Sequence, residues 1–409
     1  MAIVHPFRAL RPQPHRVADV AAVPYDVVSR DEARALVANN PYSLLHVTRP
    51  DADLPDDLPP EAELQYQTAR ANLERLIREA PLLTDDEASF FVYRLVMAGR
   101  AQTGIVGVCA VDDYDRDVIR KHEKTRPDKE DDRTRHLLAL GVHTEPVFLA
   151  YRDVPALETL MAQACSGAPL YDFTADDGIR HTVWRMPDAD QVRTAFATVP
   201  TLYVADGHHR SASASRARAV WRTQDPHPSA EAPYNFFLAV LFPAGQLQIL
   251  PYNRVVSDLH GYAPTDFIAA LQARFEPRPA TPMPAAEGDF SVYCAGRWHS
   301  FRFRPAEDGN ILARLDVSRL QTQVLEPLLG ISDPRTDRRL DFVGGVRGTV
   351  ELERRVNTGQ AAAAFSLYPT SLEALFAVAD RGEVMPPKST WFEPKLRSGL
   401  LMYAVQPMN

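Results

Sequence analysis

One short stretch constrains the fold of this chain more than any other. The apolar run 201–205 predicts a buried strand, the polar run 206–210 (Asp-Gly-His-His-Arg) follows it, and the alanine- and arginine-rich run 211–222 predicts a helix. Glycine permits the tight turn between strand and helix, and the free amides of a helix N-terminus attract anions. The stretch therefore predicts a strand–turn–helix element with an anion-binding site at the turn.

The five residues of this turn each offer a chemical role. Arg210 presents a planar fork that matches two oxygens of a phosphate, and Gly207 lets the backbone approach it. Histidine moves protons near neutral pH, and an aspartate can orient a histidine or act as a base. We therefore predict that Asp206, His208 and His209 are catalytic and that Gly207 and Arg210 bind phosphate. The alternative is that Asp206 only caps the helix and the histidines are surface groups.

Composition excludes several classes of protein. A net charge of −8 argues against general nucleic-acid binding, which needs a basic surface. No apolar run approaches the ~18 residues of a membrane helix. The three cysteines lie too far apart for metal or redox spacing, and no H-x-x-x-H pattern supports a zinc site. These features predict a soluble, cytoplasmic protein without a protein-held metal, a nucleic-acid partner or a membrane partner.

Lysine is rare in this chain, and its distribution is uneven. Of 45 basic residues only five are lysine, and they fall within 121–129 and 388–395. Lysine and arginine are not interchangeable at a chemical site, so we interpret both segments as walls of a site. The alternative is chance clustering of the following residues: Lys121, Lys124, Lys129, Lys388 and Lys395.

The first lysine segment, 119–133, combines cations with acids. Glu123 is a candidate general base, and Lys121 a candidate phosphate ligand. Lys129 and Arg133 are four residues apart, so on a helix they would share a face and could contact one phosphate. The alternative is a solvated helix laced with ion pairs.

The second lysine segment, 385–395, begins Met-Pro-Pro and continues with Lys388 and Thr390. We predict that these two residues bind phosphate; the alternative is a structural tail. Phosphoryl transfer needs several cations around one group. We therefore expect segments 120–133, 206–210 and 385–392 to converge on one pocket.

Local patterns predict an α+β protein with mixed sheets. Two domains are expected: a phosphate-binding core at 1–260, and an α+β module at 261–409 whose tail, 385–400, returns to the site. Ser29 and Glu32 form a capping-box pattern before a helix at 30–39. Further predicted elements are a strand at 44–47, hairpins at 89–111, 235–250 and 289–304, and helices at 61–79, 155–164, 264–273 and 317–329.

Several nucleotide-binding and hydrolase motifs are missing. No Gly-Lys pair occurs, so a P-loop is excluded. There is also no G-x-G-x-x-G fingerprint and no G-x-S-x-G elbow. A nucleotide would therefore have to bind without these loops.

The chain resembles the bacterial and archaeal family called domain of unknown function 1015 (DUF1015) over nearly its whole length. The family name implies no activity. The resemblance is carried by runs in the same order along the chain: 23–29, 40–47, the His122-Glu123-x-Thr125 segment, 206–210 and 385–400.

The strand followed by the DGHHR run also resembles the phosphate-binding box of the ParB and sulfiredoxin superfamily. That resemblance implies a ParB/sulfiredoxin-like core that binds nucleotide phosphates. The superfamily includes kinases that phosphorylate free serine with ADP or ATP and use a glutamate base. This chain departs from the sulfiredoxin pattern because no cysteine precedes His208. Phosphate handling is what the resemblance still implies.

Together these features predict a nucleotide-dependent phosphotransferase, a kinase for a small hydroxylated metabolite such as free L-serine. ATP or ADP would donate the phosphoryl group, with Mg²⁺ bridging the phosphates. Glu123 or Asp26 would accept the hydroxyl proton, and Asp26 and Arg254 would contact the substrate. Two alternatives use the same anion pocket: a non-catalytic nucleotide or metabolite sensor, and a phosphatase or hydrolase.

Overall fold

The computed structural model describes residues 1–59, 62–79, 82–306 and 310–406. The chain divides into two compact units. Unit 1 comprises Met1–Lys121, Thr125–Leu247 and Pro394–Asn409, and unit 2 comprises His122–Lys124 and Gln248–Glu393. The main boundary therefore follows Leu247 rather than residue 260, and the last stretch of the chain belongs to unit 1.

The strands are short except at the centre of unit 1. They are β1 Val4–His5, β2 Ala9–Arg11, β3 Leu83–Thr84, β4 Phe91–Met97, β5 Arg100–Ala110, β6 Ile119–Arg120, β7 Val142–His143, β8 Val147–Tyr151, β9 Tyr171–Thr174, β10 Arg180–Arg185, β11 Leu202–Asp206, β12 Phe236–Pro243, β13 Ile249–Leu250, β14 Tyr252–Val256, β15 Glu276–Arg278, β16 Asp289–Cys294, β17 Arg297–Arg302, β18 Leu340–Gly344, β19 Ala363–Leu367, β20 Trp391–Phe392 and β21 Met402–Ala404.

The helices range from single turns to 17 residues. They are α1 Val17–Val20, α2 Arg30–Val37, α3 Leu45–Thr48, α4 Glu63–Glu79, α5 Val111–Asp115, α6 Pro127–Leu140, α7 Pro155–Cys165, α8 Ala189–Phe196, α9 His208–Gln224, α10 Pro264–Arg274, α11 Ile311–Arg314, α12 Asp316–Leu320, α13 Glu326–Leu329, α14 Gly348–Asn357 and α15 Leu372–Asp380. A π-helical turn, Gln321–Leu325, separates α12 from α13.

Unit 1 is built on a nine-stranded mixed sheet. Its strand order is β6-β11-β8-β12-β5-β4-β10-β9, with β1 paired to β5. The β6–β11 and β8–β12 pairs are parallel, and the other pairs are antiparallel. Every residue of β8 and β12 is buried, so both faces of the central sheet are covered. This sheet positions β11, whose end carries the DGHHR turn.

Two apolar clusters stabilise unit 1. The larger joins the nine-stranded sheet to α7, α8 and α9, including Leu157, Val192 and Trp221. The second joins α2, α4 and α6 to the four-stranded antiparallel sheet β3-β2-β21-β7. Since β21 belongs to the last residues of the chain, the C-terminal stretch is held in unit 1 by backbone pairing as well as by packing.

Unit 2 has a six-stranded antiparallel sheet in the order β15-β17-β16-β19-β14-β18, and β13 pairs with β20. An apolar cluster of Val255, Tyr293, Val343, Leu352 and neighbouring alanines lies between this sheet and α14. The predicted α+β class is confirmed in both units.

The structure confirms the elements that depend on local signals. Ser29 and Glu32 form the predicted capping box, with bonds of 2.7 and 3.2 Å. The hairpins β4–β5 and β16–β17 are both present. Short-range turns and caps therefore decide these parts of the fold.

Two predicted elements are wrong. Residues 44–47 were expected to form a strand but contribute to α3, and a short apolar run alone does not distinguish a strand from a buried helical turn. The predicted hairpin at 235–250 is absent. Instead, β12 pairs with β5 and β8, and β13 pairs with β20. Strand β12 has partners on both edges, so no edge is left for β13.

Buried neutral histidines make the stability of unit 1 depend on pH. His181 in β10 is fully buried, with Nδ1 2.8 Å from the Tyr93 hydroxyl, and Arg397 donates its Nε–H to His181 Nε2 at 3.2 Å. Burial, reinforced by the Arg397 charge, lowers the pKa of His181 to about 3. The folded state therefore holds this imidazole neutral throughout the physiological range.

His136 in α6 behaves in the same way. It is 6% exposed, and its Nε2 lies 2.9 Å from the Val47 carbonyl oxygen. Burial, together with the Arg133 charge, lowers the pKa of His136 to about 3. Both histidines therefore take up protons more readily in the unfolded chain.

We predict that unit 1 loses stability as pH falls below 6.5. The unfolded chain binds these protons near pH 6.5, whereas the folded chain binds them only near pH 3. Within that window each histidine therefore lowers the free energy of unfolding by about 1.4 kcal/mol for each pH unit. Urea denaturation at pH 7.5 and 5.5 measures the slope of the free energy of unfolding against pH. His181→Gln should reduce it, while His15→Gln at an exposed position should leave it unchanged. An unchanged slope in His181→Gln would contradict the prediction.

Candidate functional site

The DGHHR run forms the predicted strand–turn–helix element. Strand β11 ends at Asp206, Gly207 turns the chain with φ +100°, and α9 begins at His208. The helix thus starts three residues earlier than expected, so His208, His209 and Arg210 lie in its first turn. That turn contains no acid, and Gly207 at the N-cap position has no side chain to cap it. The N-terminus of a helix carries the positive end of the helix dipole, which favours an anion.

Asp206 is bound by two cations. Its Oδ2 accepts a bond of 2.8 Å from Lys395 Nζ, and Arg210 Nη2 lies 3.9 Å from Oδ1. Burial favours the protonated form, but the Lys395 and Arg210 charges outweigh it and hold the pKa of Asp206 well below its usual range. A carboxylate so stabilised is a weak base. Asp206 therefore positions cations, and proton abstraction must fall to another group.

Arg210 points inward rather than toward solvent. Its side chain is 12% exposed, and Nη1 donates to the Pro146 carbonyl oxygen. Burial disfavours the charged guanidinium, but the negative charges of Asp206 and Glu145 outweigh the effect of burial and raise the pKa of Arg210. The guanidinium lines a small chamber of about 40 Å³. The predicted anion ligand therefore faces an interior space.

Glu145 lines the same chamber, and sequence reasoning missed it. It is 8% exposed, and its Oε1 accepts bonds from the Tyr25 backbone N–H at 3.2 Å and the Ser398 hydroxyl at 2.8 Å. Burial raises the pKa of Glu145, although Arg210 and Arg133 oppose this. The Glu145-Pro146 pair at the start of a strand carried no sequence signal for this role.

Arg133 supplies a second cation to the chamber. Its guanidinium stacks 4.3 Å from the centre of the Tyr25 ring, and Nη2 lies 2.7 Å from Asp132 Oδ2. Its Nη1 is buried without a hydrogen-bond partner among the residues that the structure describes. Arg133 and Arg210 thus line one chamber, and Arg133 retains donor capacity there.

His209 links α9 to the segment before α6. Its Nε2 accepts the Arg126 backbone N–H at 3.1 Å, which requires an unprotonated Nε2. His208, the next residue toward the turn, is 8% exposed.

The two lysines predicted to bind phosphate lie elsewhere. Lys129 is exposed, and Lys121 binds Asp117 Oδ1 at 2.6 Å and the Tyr114 carbonyl at 2.8 Å. Neither lysine lines the chamber.

Of the remaining predicted residues, Asp26 is exposed in unit 1, and Glu123, Arg254, Lys388 and Thr390 lie in unit 2. His122 Nε2 is 3.2 Å from Thr390 Oγ1, and the His122 carbonyl accepts the Met385 N–H at 2.8 Å. Glu123 follows His122 and belongs to the same unit. Lys388 has φ +58°, and its ammonium lies 5.6 Å from the Tyr252 ring centre. The first lysine segment therefore contacts the second, 385–395, at His122.

Segment 206–210 contacts other parts of unit 1. His209 accepts the Arg126 N–H, and Asp206 accepts a bond from Lys395 in the C-terminal stretch. Convergence of all three segments on one pocket remains a prediction. Among the described residues, no group of three or more His, Cys, Asp or Glu side chains is arranged to hold a metal ion. No described helix combines the length and apolarity needed to cross a membrane.

A family model described as protein of unknown function (DUF1015) matches residues 4–318. The chain belongs to the DUF1015 family. This confirms the resemblance seen in its sequence motifs. No curated protein matches the sequence.

Several solved structures are similar to parts of the chain. SbnI with a C-terminal truncation, from Staphylococcus aureus, shares 13% identity at a TM-score of 0.38, covering 73% of this chain and 87% of that one. A free serine kinase in complex with AMP shares 12% identity at a TM-score of 0.36, covering 73% and 92%. A conserved hypothetical protein from Pyrococcus furiosus shares 12% identity at 0.34, covering 73% and 95%.

We predict that Gly207→Ala destabilises unit 1 more than Gly178→Ala. Both glycines have positive φ, +100° and +79°, so alanine costs about 1–2 kcal/mol of backbone strain at either position. At Gly207 the added Cβ would also lie 3.1 Å from Arg210 Nε, whereas at Gly178 it meets nothing within 4 Å. Urea denaturation of both variants isolates the Arg210 contribution. Equal losses would show that Arg210 moves freely.

Proposed function

We propose that this DUF1015 protein is a nucleotide-dependent phosphotransferase that phosphorylates a hydroxyl of a small metabolite, with free L-serine as the first candidate. The observation that carries the proposal is the chamber lined by Arg133 and by Arg210, which lies in the first turn of α9. Helix amides and arginine forks are the donors that phosphate oxygens prefer in proteins.

The cations Arg210 and Arg133 suit a phosphate group, whose negative charge is spread over several oxygens. Transfer of a phosphoryl group depends mainly on positioning and on stabilising that charge. Arg210 and the amides of His208 and His209 would bind the phosphates. Asp206 would hold Arg210 and Lys395 in place through its ion pairs.

The reaction also needs a base for the substrate hydroxyl. Asp26 is exposed, and its carboxylate helps to raise the pKa of Arg210, so it belongs to the same electrostatic neighbourhood. Glu123 of unit 2 is the other candidate. The hydroxyl proton would pass to one of these carboxylates as its oxygen forms the new O–P bond. The bridging P–O bond of the nucleotide would then break and release the shortened nucleotide.

Mg²⁺ is expected to accompany the nucleotide. It prefers oxygen ligands and usually binds substrate phosphates together with one or two carboxylates. Here Asp206 is bound to Lys395, and Glu145 already accepts two hydrogen bonds. Phosphate oxygens would therefore be its main ligands, and its charge would support that of the arginines.

The first test is a screen of the purified chain. ATP, ADP and CTP with Mg²⁺ are each combined with serine, other amino acids and sugars, and products are detected by mass spectrometry. We expect one phosphorylated product that is lost in Asp26→Asn or in Glu123→Gln, whichever residue is the base. Absence of both turnover and nucleotide binding across the panel would refute the proposal.

The second test concerns the geometry of Arg210. Arg210→Lys should weaken nucleotide binding about tenfold or more, because lysine keeps the charge but loses the planar fork. The matched control is Arg216→Lys in the same helix, where the side chain is 43% exposed and pairs with Glu130 and Asp131. Isothermal titration with ADP and ATP measures both. Equal affinities for the two variants would remove Arg210 from the site.

A nucleotide or metabolite sensor is the second candidate. It is favoured by one observation: Glu145, the acid that lines the chamber, already accepts two hydrogen bonds. A nucleotide that raises the melting temperature but is never consumed would identify a sensor. Release of phosphate from phosphoserine without a nucleotide would instead indicate a phosphatase.

A further inference from the structure

Unit 2 contains a buried arginine that has no acidic partner among the residues the structure describes. Arg254 in β14 is 4% exposed. Its guanidinium donates to the Tyr252 carbonyl, to the Lys388 carbonyl at 3.0 Å and to the Pro387 carbonyl at 3.5 Å. A guanidinium has five N–H donors, so these three bonds leave further N–H groups that could bind a ligand. Among the described residues no carboxylate forms an ion pair with Arg254.

This environment differs from that of other arginines in unit 2. Arg302 binds Asp289 at 2.7 Å and Arg339 binds Asp337 at 2.7 Å, and these acids raise the pKa of each arginine. Burial instead lowers the pKa of Arg254 to about 10. Arg254 is still charged at neutral pH, and a buried charge is normally compensated by an opposite one.

The arginine lines a cavity of about 230 Å³ that lies entirely within unit 2. Its walls are mostly apolar, and Ser318 and Gln321 add a hydroxyl and an amide. An apolar space with a few convergent polar groups is the usual form of a small-molecule site. The apolar walls are Val317, Leu325, Pro334, Leu340, Pro386 and Pro387.

The π-helical turn explains how Gln321 and Leu325 come to line this space. Pro327 lacks an N–H, and in a regular helix its ring would clash with the carbonyl of residue 323, so the wider turn just before it relieves the conflict. Gln321 Nε2 donates to the Ile331 carbonyl at 2.6 Å. This bond fixes the amide and leaves its Oε1 as an acceptor.

We infer that this cavity binds a small organic carboxylate, with the carboxylate on Arg254 and a hydroxyl or ammonium group of the ligand within reach of Ser318 and Gln321. The space is below the roughly 300–1,000 Å³ of pockets for larger ligands, which excludes a whole nucleotide. Arg254 is also a predicted substrate-binding residue, but binding here does not depend on phosphoryl transfer in unit 1.

The test measures binding to the full chain without nucleotide. Isothermal titration compares L-serine and L-lactate with serinamide and lactamide, which keep the shape but lack the carboxylate. At least one acid should bind about tenfold or more tightly than its amide. Arg254→Met should abolish this preference, while Arg381→Met, at an exposed position of the same unit, should retain it.

Two further variants serve as controls, one for misfolding of Arg254→Met and one for binding at a second site. Ser318→Leu narrows the cavity but leaves the guanidinium in place, so it should weaken binding even if Arg254→Met does not fold. Arg216→Lys in unit 1, outside the proposed nucleotide site, should leave acid binding unchanged. Acid binding without nucleotide and turnover with nucleotide are measured separately, so failure of one is distinguishable from failure of the other. The inference is overturned if no acid binds, if amides bind equally well, if only inorganic phosphate binds, or if Ser318→Leu binds like the wild type.

Discussion

The arrangement of the candidate site depends on one carboxylate. Asp206 ends the strand that delivers the DGHHR turn, and it binds Lys395 from the last stretch of the chain, 189 residues away in sequence. The same carboxylate faces Arg210, four residues on. Removing one partner of a buried pair leaves an uncompensated charge, so the three groups constrain one another. The C-terminal stretch is thus part of the site's scaffold rather than an appendage to the fold.

Two acids near Arg210 show how contacts decide protonation. Burial acts on both Asp206 and Glu145, yet the pKa of Asp206 falls and that of Glu145 rises. The difference follows from their nearest donors. Asp206 has an ammonium at 2.8 Å, whereas Glu145 receives bonds from a neutral hydroxyl and a backbone amide. A single cluster therefore holds one firmly ionised carboxylate and one that is closer to neutrality, an arrangement typical of proton-handling sites.

Much of the site could be predicted because its signals are local. The strand, the glycine and the helix are consecutive, and the capping box of Ser29 and Glu32 spans only three residues. Groups that meet through tertiary contacts were missed: Glu145 carries no local signal, and its partner Ser398 is 253 residues away. The scarcity of lysine drew attention to two segments of the chain. In the structure Lys395 binds Asp206, whereas the Lys121 ammonium binds Asp117 and the Tyr114 carbonyl.

Arg210, which is partly buried, and Arg254, which is buried, lie in opposite electrostatic environments. Acids surround Arg210 and raise its pKa, so its charged guanidinium is stable without a ligand and is held in one orientation. A ligand there gains from preorganisation, and it can leave without exposing an unbalanced charge. Among the described residues, Arg254 contacts carbonyl oxygens and the Phe342 ring but no carboxylate, and burial lowers its pKa. A ligand there supplies the missing charge, so occupancy itself should stabilise unit 2. The first environment suits a group that binds and departs in each turnover, and the second suits an anion that the fold retains.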